Sequence, residues 1–373
     1  MARDRHTQHA QTPDIQDFSN IPTGQFHDRS IRLLLQNSEN IRGLIEILAE
    51  DIAARIDFQR LVPLNRSLLP ENLREQEADI IVRVPFKEPH PQEELLIYIL
   101  VEHQSTVDKM MAFRVLFYMT LIWDTHRRNW ETESVPSGQR QLPPILPIVL
   151  YTGDREWQTP LTLESVMALP SELSGFVPRF DTLFLSVKET DVSTLTQGGH
   201  PFGWLLRVLR EEHSDQSVIR GALIEALGSL GGLSDSQLYQ RREAVWYFLS
   251  LILHRRSVSE QGALIDLVDE YTADMEVVPM AQTMAELLTE QGMARGIEQG
   301  IEQGREQGIE QGARTTVIEN ILAVLKARFP EGNVDAIQSM LETIDDIERL
   351  KQLHLAAVQT DSFETFRDGL DVL

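Results

Sequence analysis

The chain has 373 residues with 42% hydrophobic side chains, enough for a folded protein with more than one core, since single cores stop growing near about 250–300 residues. Its formal net charge of −23 disfavours generic binding to nucleic acid, which depends on Lys and Arg, and its lack of cysteine excludes disulfides and thiolate chemistry. The first residues lack the apolar segment of a signal peptide and no run reaches the roughly 18–20 apolar residues that span a bilayer, so we expect a cytoplasmic protein without a membrane span.

The first part of the chain predicts an arm followed by a helix. Residues 1–24 are polar and show no hydrophobic periodicity, which predicts a disordered arm. From Glu39 to Asp57, apolar side chains recur every three or four residues, which is the spacing of an amphipathic helix. Glu50 lies on the polar side of this helix, where a carboxylate is usually solvated.

Two apolar runs, Ala78–Val84 and Leu95–Val101, flank a proline-rich turn and predict a hairpin. Asp79 lies at the start of the first run, and Glu102 follows the second as the first residue of the triplet Glu102-His103-Gln104. Because paired strands bring these positions to one end of a sheet, the two acids predict a site for a hard divalent cation, Mg²⁺ or Mn²⁺. Two solvated acids at a hairpin end are the alternative.

The elements after the hairpin indicate the fold class. Asp108 can cap a helix from Lys109 to about Arg127. The nearly uniform apolar run Ile145–Tyr151 predicts a strand buried on both faces, and Thr182–Val187 predicts a further short strand. This order of elements predicts an α/β fold with a mixed sheet flanked by helices, followed by an all-α C-terminal region.

The C-terminal half reads as helical. Apolar spacing predicts a helical domain over residues 196–290, and glycine then recurs every fourth residue from Gly292 to Gly312. Six glycines would weaken a helix by about 6 kcal/mol relative to alanine, so residues 291–314 form either a helix that pairs with another helix or a linker. We favour a homo-oligomer through residues 292–328, with a small helical domain over residues 315–373.

Four blocks of the sequence are Ala78–Val84, Ile99–Ser105, Met111–Arg114 with Tyr118–Met119, and Leu142–Tyr151. In this order they resemble the successive blocks of the Rpn family, bacterial proteins that are called recombination-promoting nucleases or putative transposases. The Rpn family belongs to the PD-(D/E)XK nuclease superfamily. The resemblance therefore implies a restriction-endonuclease-like nuclease domain over residues 25–195.

The resemblance also implies roles for individual residues. Asp79 and Glu102 would each give a carboxylate oxygen to Mg²⁺ or Mn²⁺, and the backbone carbonyl of His103 would add a third ligand. The chain departs from the superfamily pattern at Gln104, where the pattern has Lys. A neutral amide cannot act as a general base or supply positive charge, so Gln104 could only orient a water molecule or a phosphate oxygen.

The positive charge that the superfamily takes from Lys must then come from another residue. Arg114 is the first candidate, and Tyr118 lies one turn further on in the helix that follows the hairpin. Residues four apart project from one face of a helix, so both could reach the same site. Lys109 is the second candidate, and an ion pair with a nearby acid is the alternative for Arg114. An acid on the first helix can also join the metal shell in the superfamily, which makes Glu50 an additional candidate.

These residues favour a metal-dependent enzyme that hydrolyses phosphodiester bonds, and the resemblance implies a Mg²⁺-dependent DNA endonuclease connected with recombination, mobile elements or defence against phage. The alternative is a non-catalytic or weakly catalytic protein of the same fold that acts through interaction and oligomerisation. The sequence lacks the Gly-rich phosphate-binding motifs, so no nucleotide cofactor is expected. Contacts to DNA would be local, and the basic candidates near the site are Lys87, Lys109, Arg114, Arg127 and Arg128.

Overall fold

A computed structural model describes residues 17–18, 21, 25–64, 79–87, 94–102, 107–132, 134–234, 237–272, 275 and 277–370. The chain divides into two compact units, with the boundary between Thr289 and Glu290. Within the predicted arm, Phe18 and Ile21 are buried in the first unit, and Ser250 Oγ donates to the carbonyl of Phe18 at 3.3 Å. These two apolar side chains are therefore part of the core and not of a disordered segment.

The first unit is built around a five-stranded mixed sheet. Its strands are β1 Val62–Pro63, β2 Asp79–Pro85, β3 Glu94–Glu102, β4 Ile145–Tyr151 and β5 Leu183–Ser186. They lie in sequence order across the sheet. The pairs β1–β2 and β2–β3 are antiparallel, whereas β3–β4 and β4–β5 are parallel.

Both faces of the central strands are buried, as their uniform apolar composition predicts. Val82 and Ile97 lie on one face and pack into the largest hydrophobic core of the first unit. Ile81 and Tyr98 lie on the other face and pack into a separate cluster. Successive residues of a strand alternate between the faces, so these two clusters identify which side of the sheet each position occupies.

Helices cover both faces of the sheet. Those of the first unit are α1 Phe26–Leu34, α2 Ser38–Leu48, α3 Glu50–Ala53, α4 Met111–Thr132, α5 Val192–Leu195, α6 Pro201–Arg210, α7 Gln216–Gly231, α8 Leu238–Arg255 and α9 Val258–Tyr271. Helix α4 packs against the face that contains Ile81 and Tyr98. The other helices contribute to the largest core, so the helices of the predicted region 196–290 share that core with the sheet.

The predicted fold class is confirmed. The described residues form a mixed sheet with helices on both sides, and the region after β5 is helical. This arrangement is consistent with a restriction-endonuclease-like α/β fold. Among the described residues, no helix combines the length and the apolar composition needed to cross a membrane.

A buried carboxyl group joins α8 to the first two helices. Glu243 Oε2 accepts hydrogen bonds from Asn37 Nδ2 at 3.0 Å and from Asn40 Nδ2 at 2.8 Å. Asn40 Nδ2 also donates to the carbonyl of Leu34, and Asn37 caps α2 through the backbone N–H of Glu39. Burial raises the pKa of Glu243 to about 7, although both asparagine hydrogen bonds act in the opposite direction.

The second unit is helical and has its own core. Helix α10 Val277–Arg328 crosses the boundary between the units and is followed by α11 Val334–Leu341, α12 Ile347–Gln359 and α13 Phe363–Gly369. Ile321, Leu325 and Leu350 are among the side chains that fill this core. Four apolar residues of the glycine-repeat part of α10 instead remain 64–66% exposed, and they are Met293, Ile297, Ile301 and Ile309.

Candidate active site

The register of β2 and β3 brings Asp79 and Glu102 to the same end of the sheet. Asp79 is the first residue of β2 and pairs with Leu100 of β3, and Glu102 lies two residues beyond Leu100. Residues two apart on a strand occupy the same face, so positions 79 and 102 share a face and are diagonal neighbours. Such neighbours are about 7–8 Å apart.

The face that positions 79 and 102 share is the one covered by α4, because it also contains Ile81 and Tyr98. Glu102 also pairs with Tyr151 of the parallel strand β4. The structure describes the backbone of Asp79 and of Glu102, and His103 and Gln104 lie outside the described residues. The predicted ligand at the carbonyl of His103 and the role of Gln104 therefore stay predictions.

Helix α4 begins at the end of the sheet where the two acids lie. Near its middle, the ring centroid of Tyr118 is 5.6 Å from that of Tyr98, and further along Trp123 Nε1 donates to the carbonyl of Pro143 at 2.8 Å. Pro143 lies two residues before the first residue of β4, so the later part of α4 lies at the start of the parallel strands. The helix consequently runs antiparallel to β3, and its N-terminus is near Glu102.

Asp108 fixes both the start of α4 and the side chain of Arg114. Its Oδ1 accepts from the backbone N–H of Met110 at 2.8 Å, and its Oδ2 lies 3.1 Å from Nη1 of Arg114. The cap is of the kind that the sequence predicts. The ion pair makes the local net charge of the two side chains zero, which reduces the attraction that Arg114 could exert on a phosphate group.

The other two candidates on this helix differ in exposure. Tyr118 is 1% exposed and packs between α4 and the sheet, so it is a core residue on the face that contains positions 79 and 102. Lys109 is exposed in the turn that precedes α4. Lys109 is therefore an exposed basic residue at the end of the sheet where the acids lie.

Glu50 is not brought to this end of the sheet. The chain segment that follows Glu50 is bound to the far end of β2, where Asp57 N donates to Pro85 O at 3.0 Å and Lys87 N donates to Arg55 O at 2.7 Å. Asp79 is six residues from Pro85, which is about 20 Å of extended strand. Glu50 lines a polar groove of about 750 Å³, and Glu46, Asp57 and Lys87 are also in its lining.

A second cluster of titratable groups lies on the opposite side of the first unit's sheet and has no local sequence signal. Among the described residues, His27, Glu212 and His213 are the group whose ligand atoms are close enough to hold a metal ion. Lys188 Nζ lies 3.0 Å from Glu212, however, and Arg255 Nε lies 3.5 Å from it. These cations already compensate the buried carboxylate, so the cluster resembles a buried ion-pair network more than a metal site.

The electrostatics of this cluster support the same conclusion. Burial alone would raise the pKa of Glu212, but the hydrogen bond with His27 and the charge of Lys188 lower it to about 2. Burial is also the main reason why the pKa of His27 is lowered, and the contact with Glu212 opposes that effect. The carboxylate is therefore ionised at neutral pH and holds its cationic neighbours in the core.

Comparison with known proteins gives a consistent result. Residues 25–231 match the model of the family described as "Putative transposase, YhgA-like". The chain is 29% identical over 138 residues to recombination-promoting nuclease RpnD of Escherichia coli O157:H7, and 29% identical over 128 residues to recombination-promoting nuclease RpnA of Escherichia coli K12. It is also 26% identical over 133 residues to the inactive recombination-promoting nuclease-like protein RpnE of Escherichia coli K12.

These matches cover only part of each protein. They span 37%, 34% and 35% of this chain and 49%, 40% and 40% of RpnD, RpnA and RpnE respectively. The chain thus covers less than half of the length of these curated relatives. No solved structure matches the chain.

Proposed function

Since the chain belongs to the family of YhgA-like putative transposases, we propose that it is a metal-dependent DNA endonuclease that hydrolyses phosphodiester bonds in the cytoplasm. Its relatives RpnD and RpnA are named recombination-promoting nucleases, which supports a nuclease-type function. The observation that carries the proposal is the antiparallel register that makes Asp79 and Glu102 diagonal neighbours on one face. The setting that we propose is recombination, mobile elements or defence against phage.

The donor set fits a magnesium-like ion. Mg²⁺ is usually held by one or two carboxylates together with water and phosphate oxygens, and Asp79 and Glu102 supply two carboxylates. Two strand positions about 7–8 Å apart on one face allow their side chains to converge on one ion. A bound Mg²⁺ or Mn²⁺ would lower the pKa of a water molecule and offset charge that develops on the phosphate group.

The remaining roles belong to residues of the chain itself. Gln104 would orient the water molecule or a phosphate oxygen through its amide, because it cannot take up a proton at neutral pH. Arg114 would contact the phosphate from the N-terminal turns of α4, held in place by its 3.1 Å contact with Asp108. Lys109 is the alternative source of positive charge, since its side chain is exposed in the adjacent turn.

Nicking of supercoiled plasmid DNA tests the proposal. The wild type is expected to nick the plasmid with Mg²⁺ or Mn²⁺ and to lose this activity in EDTA. Asp79→Asn and Glu102→Gln should abolish nicking while the circular dichroism spectrum stays unchanged. Asp51→Asn is a matched control, because Asp51 is an exposed acid on α3, and the residues that follow α3 are bound to the far end of β2. Equal nicking by the wild type and Asp79→Asn across metals would refute the proposal.

A non-catalytic or weakly catalytic interaction protein is the second candidate. RpnE, which is 26% identical to this chain, is named an inactive recombination-promoting nuclease-like protein, and this supports the second candidate. If the plasmid experiment finds no difference between the wild type and Asp79→Asn, the function would be carried by interaction, and the exposed part of α10 is the surface to test.

We propose that this part of α10 pairs with a second copy of the chain. Met293, Ile297, Ile301 and Ile309 expose apolar surface at intervals of four or eight residues. A side chain added at Gly304, Gly308 or Gly312 would meet no other group within 4 Å, so the backbone is accessible to a close neighbour. A period of four exceeds the helical 3.6, which favours a right-handed crossing of two helices.

Light scattering tests this pairing. Deletion of residues 296–311, or the double substitution Ile297→Ser with Ile301→Ser, should lower the measured mass toward that of one chain. Leu355→Ser with Val358→Ser is the matched control, because these apolar residues of α12 are also more than half exposed. An unchanged mass in the deletion would leave the segment as a linker.

A further inference from the structure

The solvent face of α4 carries an exposed aromatic pair. Phe113 is 49% exposed and Phe117 is 39% exposed, although the opposite side of the same helix is buried against the sheet. The two rings lie nearly parallel, with centroids 6.1 Å apart and an interplanar angle of 18°. Met110 is also exposed and lies three residues before Phe113, so the three side chains form one apolar row.

This row lies next to the end of the sheet that contains the candidate catalytic acids. The contact between Tyr118 and Tyr98 aligns α4 with β3. Met110 precedes Tyr118 by about 12 Å of helix, and Glu102 follows Tyr98 by about 13 Å of strand. Since α4 and β3 run in opposite directions, the start of the aromatic row is level with Glu102.

The helix and its flanking residues are far less acidic than the protein as a whole. Residues 108–133 contain four basic side chains, Lys109, Arg114, Arg127 and Arg128, and four acidic ones, Asp108, Asp124, Glu131 and Glu133, which gives a net charge of zero where the whole chain has −23. Arg127 and Arg128 lie further along α4 than the phenylalanines and pair with Asp124 at 2.7 and 2.5 Å. A polyanion is therefore better tolerated along α4 than on the average surface of the protein.

We propose that Phe113 and Phe117 form a stacking platform for unpaired bases, so that the substrate is single-stranded or locally unwound DNA. This inference rests on the proposed nuclease function. A chain of charge −23 gains little affinity from phosphate contacts alone, whereas stacking on an aromatic ring does not depend on net charge. Helix α4 is about 10–12 Å wide with its side chains, a distance that a few nucleotides of a single strand can span from the acids to the rings.

Binding in EDTA tests the platform independently of cleavage. Fluorescence anisotropy would compare a single-stranded 20-nucleotide DNA, its duplex, and a single strand of the same length with abasic sites at every position. The wild type should bind the single strand at least about tenfold more tightly than either of the other two. Phe113→Ala and Phe117→Ala should each weaken binding of the single strand by about tenfold and leave the abasic strand unaffected.

Two further variants separate stacking from folding. Phe113→Leu keeps apolar bulk but lacks the ring, so it should bind the single strand as weakly as Phe113→Ala. Tyr271→Ala removes an exposed aromatic ring from α9 and should bind like the wild type. The platform would be overturned if the wild type bound single strand and duplex equally, or if Phe113→Leu bound the single strand as tightly as the wild type. It would also be overturned if Phe117→Ala had a lower mass than the wild type by light scattering, because the rings would then serve an interface between chains. If the wild type does not nick plasmid DNA but still binds the single strand in a way that requires the rings of Phe113 and Phe117, only the nuclease proposal is overturned.

Discussion

Glu243→Gln should stabilise the first unit at neutral and alkaline pH. The structure buries this carboxyl group between α8 and the first two helices, where it accepts hydrogen bonds from Asn37 and Asn40. Burial raises its pKa to about 7 from an ordinary value of 4.5. Because each tenfold change in a proton equilibrium is 1.36 kcal/mol, this difference corresponds to about 3 kcal/mol.

The pH range follows from the direction of this change. Below about pH 4.5 the carboxyl group of Glu243 is protonated in both the folded and the unfolded chain, and it does not alter the free energy of unfolding. Between pH 4.5 and about 7 the unfolded chain loses the proton first, so the free energy of unfolding falls as pH rises. Above about pH 7 both states are ionised, and the loss stays at about 3 kcal/mol.

Urea unfolding followed by tryptophan fluorescence can measure this effect. All five tryptophans precede Thr289, so their signal reports on the first unit. The variant should match the wild type near pH 4.5 and exceed its free energy of unfolding by about 3 kcal/mol at pH 8. Glu270→Gln, at an exposed position of α9, is the matched control and should show no such difference. A pH-independent difference between Glu243→Gln and the wild type would show that the raised pKa of Glu243 does not control the stability of the first unit.

Three further outcomes are expected. Glu212→Gln should lower the free energy of unfolding by about 3–5 kcal/mol at pH 7, because it leaves the cation of Lys188 without its buried partner. In the wild type, the stability that the Glu212 carboxylate contributes should be lost as pH falls from about 4.5 toward 2. Urea unfolding at pH 7 and at lower pH measures both effects. Equal stability of Glu212→Gln and the wild type at pH 7 would contradict the prediction. Asp108→Ala should lower the free energy of unfolding by about 1 kcal/mol, because it removes the hydrogen bond that caps the backbone N–H of Met110. The urea unfolding curve should shift to lower urea, and an unchanged curve would contradict this role of Asp108. Glu50→Gln should retain plasmid nicking, since Glu50 lies beside the far end of β2, and a loss as large as that of Glu102→Gln would bring it back to the metal site.

The sheet could be predicted from sequence because its signals are local. Ile145–Tyr151 is a strand with the predicted bounds, and the hairpin strands differ from their predicted bounds by one residue at each end. The acids of the candidate site are predicted from a local signal of the same kind, since each lies at the end of a continuous apolar run. Their diagonal register then follows from the antiparallel pairing.

Features that depend on distant residues could not be predicted in this way. Asn40 and Glu243 are 203 residues apart, and no periodicity connects them. The predicted helix from Glu39 to Asp57 is interrupted at Ala49, which has a non-helical backbone with a φ of −159° and a ψ of 73°. The apolar spacing continues through this break because Ile56 is also buried, and it forms a bridge with Phe86 just beyond the end of β2.

The pairing of Asp79 with Glu102 around one divalent ion is tested most directly by Mn²⁺ binding, measured by electron paramagnetic resonance on the purified chain. We expect one bound Mn²⁺ per chain in the wild type and in Asp51→Asn, and at least tenfold weaker binding in Asp79→Asn and in Glu102→Gln. Equal Mn²⁺ binding by all four proteins would contradict a metal site at Asp79 and Glu102, because the ion would then be held by other residues.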